Sequence, residues 1–453
     1  MNTKRISCTF VILIVISFYV YAQTVVSPFQ YGWLEADSDK ARYKVLYETH
    51  TAAVEQGAQV DYCGIDTANI ELYYGCRLIP LTDYNDFKGL VINVKNNVRN
   101  DYIFSHAEPS TPVTLNKESI DKGTFNGVNE LQNGDYLLCI KDTNVWGKRE
   151  GYSDPVIRCD IIYVKNGRGK TRAILPYNNE WSAPECTYTP VKNKPFVIKN
   201  LTINRKSSDS LYKTMAINLK NLYDVRLDCI TINTEKDSLL FGDQAIRITN
   251  CMNVTMKNIR LNGSYSQENK WGYGISLYNV ADFKTKNLYG HAKWGIFGNN
   301  NVNGAVLEDC DINRWDIHHY GKDVILRHCK ISNQYNQYSS IYGTVTYDCC
   351  HFINCIPHLI DSSYNAYPEY NIVFRDCIID VNNKDARMFL FNRDDSKVNP
   401  RHEMSKKYWP NVSIEKLTVK YNINNPMSVF VKKMRFTNDS HIDTSILNMV
   451  YSK

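Results

Sequence analysis

From Phe196 onward one spacing recurs nine times: apolar, x, apolar, x, x, apolar, x, apolar. The copies begin Phe196/Ile198/Leu201/Ile203, Val225/Leu227/Ile230/Ile232, Val254/Met256/Ile259/Leu261 and a weaker Phe283/Thr285/Leu288/Gly290. They continue Ala305/Leu307/Cys310/Ile312, Val324/Leu326/Cys329/Ile331, Val345/Tyr347/Cys350/Phe352, Ile372/Phe374/Cys377/Ile379 and Val412/Ile414/Leu417/Val419. Period 2 inside each half-copy means a strand with one face inward. The second break residue is Asn200, Asn258, Asn287, Asp309 or Asp376 in five copies. Asn and Asp tolerate the left-handed backbone that a sharp bend between strands requires. A third short strand precedes most copies, as in Ile217/Leu219, Ile246/Ile248, Ile275/Leu277, Ile296/Gly298 and Ile317/His319. Three strands per turn without helices specify an all-β chain, a right-handed parallel β-helix solenoid.

The remainder of the chain reads as ends and insertions. Lys4 and Arg5 precede the apolar run Phe10 to Val20 and a small residue, Ala22. That is a secretory signal over residues 1–22, too short and wrongly flanked for a membrane span. No later run reaches membrane length, so no integral membrane segment is expected. Residues 23–190 read as an N-terminal cap and irregular first coils, with surface excursions at 122–134 and 165–180. Within them, Ala41 to Gln56 is expected to form a helix that covers the open first coil. Residues 191–421 form the regular solenoid and 422–453 its C-terminal cap. Of fourteen cysteines, Cys310, Cys329 and Cys350 fall in one inward column, which predicts buried thiols rather than disulfides.

The formal charge of +6, less Lys4 and Arg5, leaves +4 for the exported chain. That excess suits an acidic partner and is too diffuse for nucleic acid. The 32 tyrosines suit sugar-ring stacking as well as a β-rich core. Strand alternation then assigns an outward column Asn218, Arg247, Ser276, Phe297, His318, Tyr342, Asp361 and a second with Lys220, Thr249, Tyr278, Asn299, Tyr320. Stacked coils lie about 4.8 Å apart. Asn299, His318, Tyr320 and Tyr342 are therefore expected together, with His319 inward. Lys270, Lys293 and Arg314 each precede a tryptophan at matching places on successive coils, a basic edge for an anionic glycan. Arg247 and Tyr278 complete the expected binding residues. Asp316 and Asp361 are outward carboxylates two coils apart, about 9.6 Å by that stacking distance, at the border of the separation that inverting hydrolases use.

The nine-copy pattern, its Asn/Asp turn column and the Ala41-to-Gln56 helix followed by Val60-Asp61-Tyr62 resemble the pectate-lyase-like β-helix superfamily. An exported, Tyr- and Asn-rich chain with Gln23 after the signal also resembles Bacteroidetes polysaccharide-utilisation enzymes, and is similar to the glycosaminoglycan lyases of polysaccharide lyase family 29. The resemblance implies a lyase that cleaves a uronic-acid polysaccharide, with chondroitin sulfate or hyaluronan favoured, in the periplasm or at the cell surface. It implies a monomer whose partner is the acidic polysaccharide. Some fold relatives use calcium held by clustered acids; no dense outward acidic cluster is evident, so no cofactor is expected, with calcium kept as the alternative. Asn299 with Arg314 or Lys293 would then neutralise the uronate, His318 would take the C5 proton, and Tyr320 or Tyr342 would protonate the leaving oxygen. Two other readings stand beside it. Polygalacturonase-type motifs have echoes in Asn233-Thr234-Glu235, Gly242-Asp243-Gln244 and Gly290-His291-Ala292, each with a defect. A non-catalytic glycan-binding β-helix would carry the same face without chemistry.

Overall fold

A computed structural model describes residues 24–96, 101–143, 147–148, 155–170, 184–207, 214–235, 244–263, 273–291, 295–332, 337–338, 341–354, 358–361, 369–381, 390–392 and 411–421. The expected signal segment, the last 32 residues, Lys270 and Lys293 lie outside them. The described chain winds into a right-handed parallel β-helix of three sheets. In the first sheet residues 217–220, 246–249, 275–278 and 297–300 pair in succession. In the second, residues 196–199, 225–228, 254–257, 283–286, 305–308, 324–327 and 345–348 do so. The third runs through 202–205, 231–234 and 260–261. Coils begin well before the regular repeat, since Thr67 and Val91 pair with each other and Val91 with Thr202.

The corners show why the spacing is so constant. Asn200, Asn258, Asn287, Asp309 and Asp376 all take positive φ, between 46° and 58°. Cys229, His328 and Cys349 occupy the same column in the same conformation. A second left-handed column joins sheets one and two: Asn221, Asn250, Asn279, Asn301 and then Tyr320. Its amides form a ladder, Asn250 Nδ2 donating to Asn221 Oδ1 at 3.2 Å and Asn279 Nδ2 to Asn250 Oδ1 at 3.0 Å. Each amide satisfies its neighbour's polar atoms where no strand pairing can.

The interior is a stack of apolar columns. Cys310, Cys329, Cys350 and Cys377 form one of them, and no described cysteine is in a disulfide. Their thiols donate to backbone carbonyls, as Cys350 Sγ does to Leu326 O at 3.2 Å. Helix α1 (Asp39–Gln56) covers the first coil. Ser38 Oγ accepts from Ala41 N, and Gly57 closes the helix in the left-handed conformation. Tyr43, Leu46 and Ala53 join the core of Ile70 and Ile92, so the helix caps the end where strands would otherwise lie open. No helix among the described residues is long and apolar enough to cross a membrane.

Residues 108–195 differ from the expected irregular coils. They interrupt two coils that stack directly on one another, since Phe104 pairs with Ile217. They carry an antiparallel sheet of 168–169, 159–165, 135–141, 185–190 and 111–113, with helices α2 (Lys117–Lys122) and α3 (Asn129–Gln132). Ile120, Phe125, Leu138, Ile140, Ile162 and Val164 give this subdomain its own core. Leu137 and Ile161 set it on Met252 and Ala281 of the solenoid. The sequence spacing hides this because short antiparallel strands have the same period 2 as solenoid strands. Entry and exit are held together: Lys192 Nζ meets Glu108 Oε1 at 2.6 Å and Asp83 Oδ1 at 2.7 Å, and His106 Nε2 lies 2.8 Å from Glu108.

Two outcomes test this account. Asn258→Ala should lower unfolding free energy by about 1–3 kcal/mol, because alanine is strained at φ of 53° and the bonds from Asn287 Nδ2 to Asn258 Oδ1 at 3.1 Å and from Asn258 Nδ2 to Asp228 Oδ1 at 2.9 Å are lost. Asn258→Gly should recover the backbone share; denaturant unfolding in which Gly costs as much as Ala would contradict a strained corner. The His106 bond and the Lys192 ammonium hold Glu108 at about 2, against burial. A depressed acid adds stability above its unfolded value near 4.3 that is lost as pH falls toward 2. Melting temperature should therefore drop more steeply over that window in the native chain than in Glu108→Gln.

Candidate active site

The outward face of the first sheet gathers the groups with chemistry. Its column runs Asn218, Arg247, Ser276, Gly298 and Asp316 in register. At its end four side chains converge. Tyr273 Oη lies 2.8 Å from His318 Nε2 and donates toward Asp316 Oδ2 at 3.2 Å. His318 Nε2 is 3.8 Å from the same carboxylate oxygen, and Arg314 Nε contacts it directly. Arg314 and Asp316 are wholly buried, while the His318 side chain keeps 15 % of its surface open. Burial opposes the charge on Asp316, but the Arg314 guanidinium, with the His318 ring nearby, holds its carboxyl below the usual range. Asp316 is thus a fixed anion under the pair of rings.

Two glycines make the cluster fit. A Cβ at Gly298 would stand 2.3 Å from Tyr273 Cδ2, and one at Gly295 would stand 2.7 Å from Arg314 Cδ. The Tyr273 ring therefore lies over Gly298, where any side chain in the outward column would hold it away. His318 owes its place to a bulge. Asn299 pairs with Ile317 and Asn300 with His319, so His318 is the extra residue between them. Bulges re-aim side chains and recur beside active sites.

The bulge also corrects the assignment of His319. Alternation puts it inward; the register aligns it with Asn300 and Tyr278 on the outward column. Burial, with His318 adjacent, pushes its imidazole down to about 3, so it stays neutral. Other expected residues move further. Phe297 and Asn299 are fully buried, paired with Ile275 and Leu277 of the inward face. The run Ile296-Phe297 allows either parity, and a one-residue slip reverses every side chain. Phe297 is fixed inward by its packing on Trp315, ring centroids 4.7 Å apart. Trp315 is likewise a core residue rather than a stacking platform, and Arg314 beside it is an internal ion-pair partner rather than a surface cation. Tyr320 takes φ of 53° in the corner column and is buried, its phenol pushed up by burial and by Tyr342. Tyr342 pairs with Lys322, past the corner, so it leaves the His318 column; residues 337–338 fill that place instead.

Arg247 keeps its outward place, half-buried, with Nη1 3.5 Å from Tyr102 Oη. Tyr278 meets Cys159 Sγ of the inserted subdomain at 3.7 Å. Burial raises its phenol, so it seals a wall. The Asp361 side chain lies outside the described residues. Asn233 lies on the third sheet and His291 directly after a strand of it, so these two echoes are not brought to this face; Gly242 and Asp243 lie outside the described residues. Tyr273 was not legible in the sequence. It lies just after residues 264–272, and only its position over Gly298 joins it to His318. Asp83, His106 and Glu108 are the one described trio within reach of a shared ion. Lys192 already supplies their positive charge, so the trio suits an internal salt bridge better than calcium.

No family model matches the chain, and no curated protein matches it. Among solved structures it is similar to the tailspike protein gp49 of Pseudomonas phage LKA1, with 13% identity, TM-score 0.52, and coverage of 87% of this chain and 78% of that one. It is also similar to the A-module of the mannuronan C-5 epimerase AlgE4 of Azotobacter vinelandii, with 9% identity, TM-score 0.39, and coverage of 88% and 98%. A third is the gp54 tailspike of the Acinetobacter baumannii bacteriophage AP22, determined with a capsular saccharide, at 11% identity, TM-score 0.38, and coverage of 88% and 74%. The likeness to the LKA1 tailspike is one of fold, the parallel β-helix.

Gly298→Ala tests the construction of the cluster. The added methyl should displace the Tyr273 ring and lower turnover by about 10²-fold, the usual cost of misplacing a reacting group by an ångström. Circular dichroism and melting should change little. Full activity in Gly298→Ala would mean that Tyr273 is not needed over this position.

Proposed function

We propose that this protein is an exported polysaccharide lyase that cleaves a uronic-acid-containing chain by β-elimination at His318 and Tyr273. The observation that carries the reading is the 2.8 Å contact between Tyr273 Oη and His318 Nε2 above the buried Asp316 carboxylate. Elimination needs one group to take the C5 proton and another to give a proton to the leaving oxygen. His318 is the base, since of the two rings in contact the imidazole is the better proton acceptor and the phenol the proton donor. Tyr273 gives its phenolic proton to the glycosidic oxygen as the C4–O bond breaks. The proton on His318 then passes to Tyr273 across their contact and restores both groups. Asp316, tied to Arg314, orients the pair and stabilises the imidazolium.

The tyrosine differs from the Tyr320 and Tyr342 that alternation suggests, and Asn299 has no part because it lies in the core. Arg247, three strands back on the same outward column and so about 14 Å along it, would hold the uronate of a neighbouring sugar; Lys270 and Lys293, expected beside it from the sequence, lie outside the described residues. Arg247 and the mild positive charge support an acidic substrate, of which a glycosaminoglycan such as chondroitin sulfate or hyaluronan is the favoured member. The apolar run at residues 10–20 supports export to the periplasm or cell surface, and a single chain carries the whole site. A retaining or inverting hydrolase would need a second carboxylic acid with raised pKa. Asp316 is displaced the other way, so it is not that proton donor.

A panel of chondroitin sulfate, hyaluronan, pectate and alginate, read by ultraviolet absorbance, tests the reaction. A lyase creates a C4–C5 double bond that absorbs; reducing ends without absorbance would identify a hydrolase, and neither would leave a binding protein. On the substrate that reacts, His318→Ala and Tyr273→Phe should each fall by 10²–10⁴-fold with thermal melting nearly unchanged. Near-native turnover of either variant would remove that residue from the mechanism.

A further inference from the structure

The third sheet carries a separate polar track on its outward side. Asn69, Asn93, Asn204, Asn233 and Asn262 stack on five successive coils. Each Nδ2 donates to the Oδ1 of the preceding residue, at 2.7–2.8 Å along the whole row. At about 4.8 Å per strand the row is about 19 Å long. Each interior amide, at Asn93, Asn204 and Asn233, spends one N–H and one lone pair on the row and keeps one of each for something else. A groove of about 480 Å³ lies along four of the five. The row does not end at Asn262. Leu261 pairs with Gly290, so the next rung is His291, held by Asp311 at 2.7 Å. Two residues before it, on the same side, Tyr289 keeps 38% of its surface exposed. Its ring lies 5.2 Å from that of His291, with the Arg260 guanidinium 5.0 Å from its centroid.

We infer that this face is a second, non-catalytic binding track for an extended sugar chain rich in hydroxyl and acetamido groups. Strand spacing is close to the rise of one sugar in an extended 1,4-linked chain, so successive sugars can meet successive amides in step. The amides are uncharged and offer a donor and an acceptor at each rung, which matches hydroxyls and acetamido groups rather than carboxylates or sulfates. Tyr289, at the end of the row, keeps 38% of its surface exposed and so offers ring surface on which sugar C–H groups can pack. A purely architectural amide row would need neither an exposed aromatic at its end nor an open groove beside it. The track lies on a different sheet from His318 and does not rest on cleavage at that site. It would hold one part of a long polymer while another part is at the first sheet.

Titration calorimetry with chitohexaose, cellohexaose and a chondroitin hexasaccharide tests the track, using the His318→Ala protein so that nothing is cleaved. Chitohexaose should bind, and Tyr289→Ala should weaken it at least tenfold while Tyr289→Phe restores it. Asn233→Ala should also weaken it, and Arg247→Ala on the other face should not. The inference is overturned if chitohexaose fails to bind at millimolar concentration, if Tyr289→Ala binds it as well as the parent, or if Arg247→Ala is the substitution that abolishes binding. Melting curves of Tyr289→Ala and Tyr289→Phe that coincide with the parent keep a folding defect from imitating the expected loss.

Discussion

Everything in this molecule depends on turning a strand sharply at the same place on every coil. A β-helix stays closed only if successive corners superpose, because each strand bonds the strands above and below it. The corners at Asn200, Asn258, Asn287, Asp309 and Asp376 do this in the left-handed region, where most side chains are strained. Asn and Asp tolerate that region, and asparagine's amide can also bond the rung beside it. The corner is therefore both a bend and a hydrogen-bonded seam. In the second corner column, where Tyr320 follows Asn221, Asn250, Asn279 and Asn301, the tyrosine is fully buried, and burial supplies the stability that an amide would have given.

Regular stacking leaves chemistry to the interruptions. A perfect coil presents its outward residues in straight columns with no two drawn together. The site arises from three departures: glycine at 295 and 298, the extra residue at 318, and the internal ion pair of Arg314 with Asp316. Glycine lets Tyr273 and Arg314 occupy space that side chains would fill. The bulge turns His318 toward Tyr273. Arg314 and Asp316 are wholly buried together, a costly arrangement unless each satisfies the other. Such a pair holds its neighbours in one geometry, which the proton transfer proposed for Tyr273 and His318 would need.

The inserted subdomain adds a wall. It leaves the solenoid between two coils that still stack directly, and the Glu108–Lys192 contact fixes its base. Cys159 N donates to Asn301 Oδ1 at 3.1 Å, so the subdomain grips the corner seam next to the first sheet. Tyr278 and Tyr320 are enclosed beside Cys159, although both have outward or corner positions.

The sequence by itself determined the solenoid, its corner residues, the capping helix and the column of reduced thiols. These follow from local rules: period 2, the left-handed tolerance of Asn and Asp, a Ser38 cap and a Gly57 stop. It also marked His318 and Arg247 as outward. Tertiary structure decided the remainder. Ile296-Phe297 is compatible with two parities, and only packing on Trp315 chose between them, which sent Asn299 to the core. A bulge at residue 318 cannot be seen in a strand's own alternation, because it exists only relative to the strand that pairs with it. Tyr273 is 45 residues from His318 and shares no motif with it; the two meet because coils bring distant residues to one face and a glycine leaves the gap they meet across.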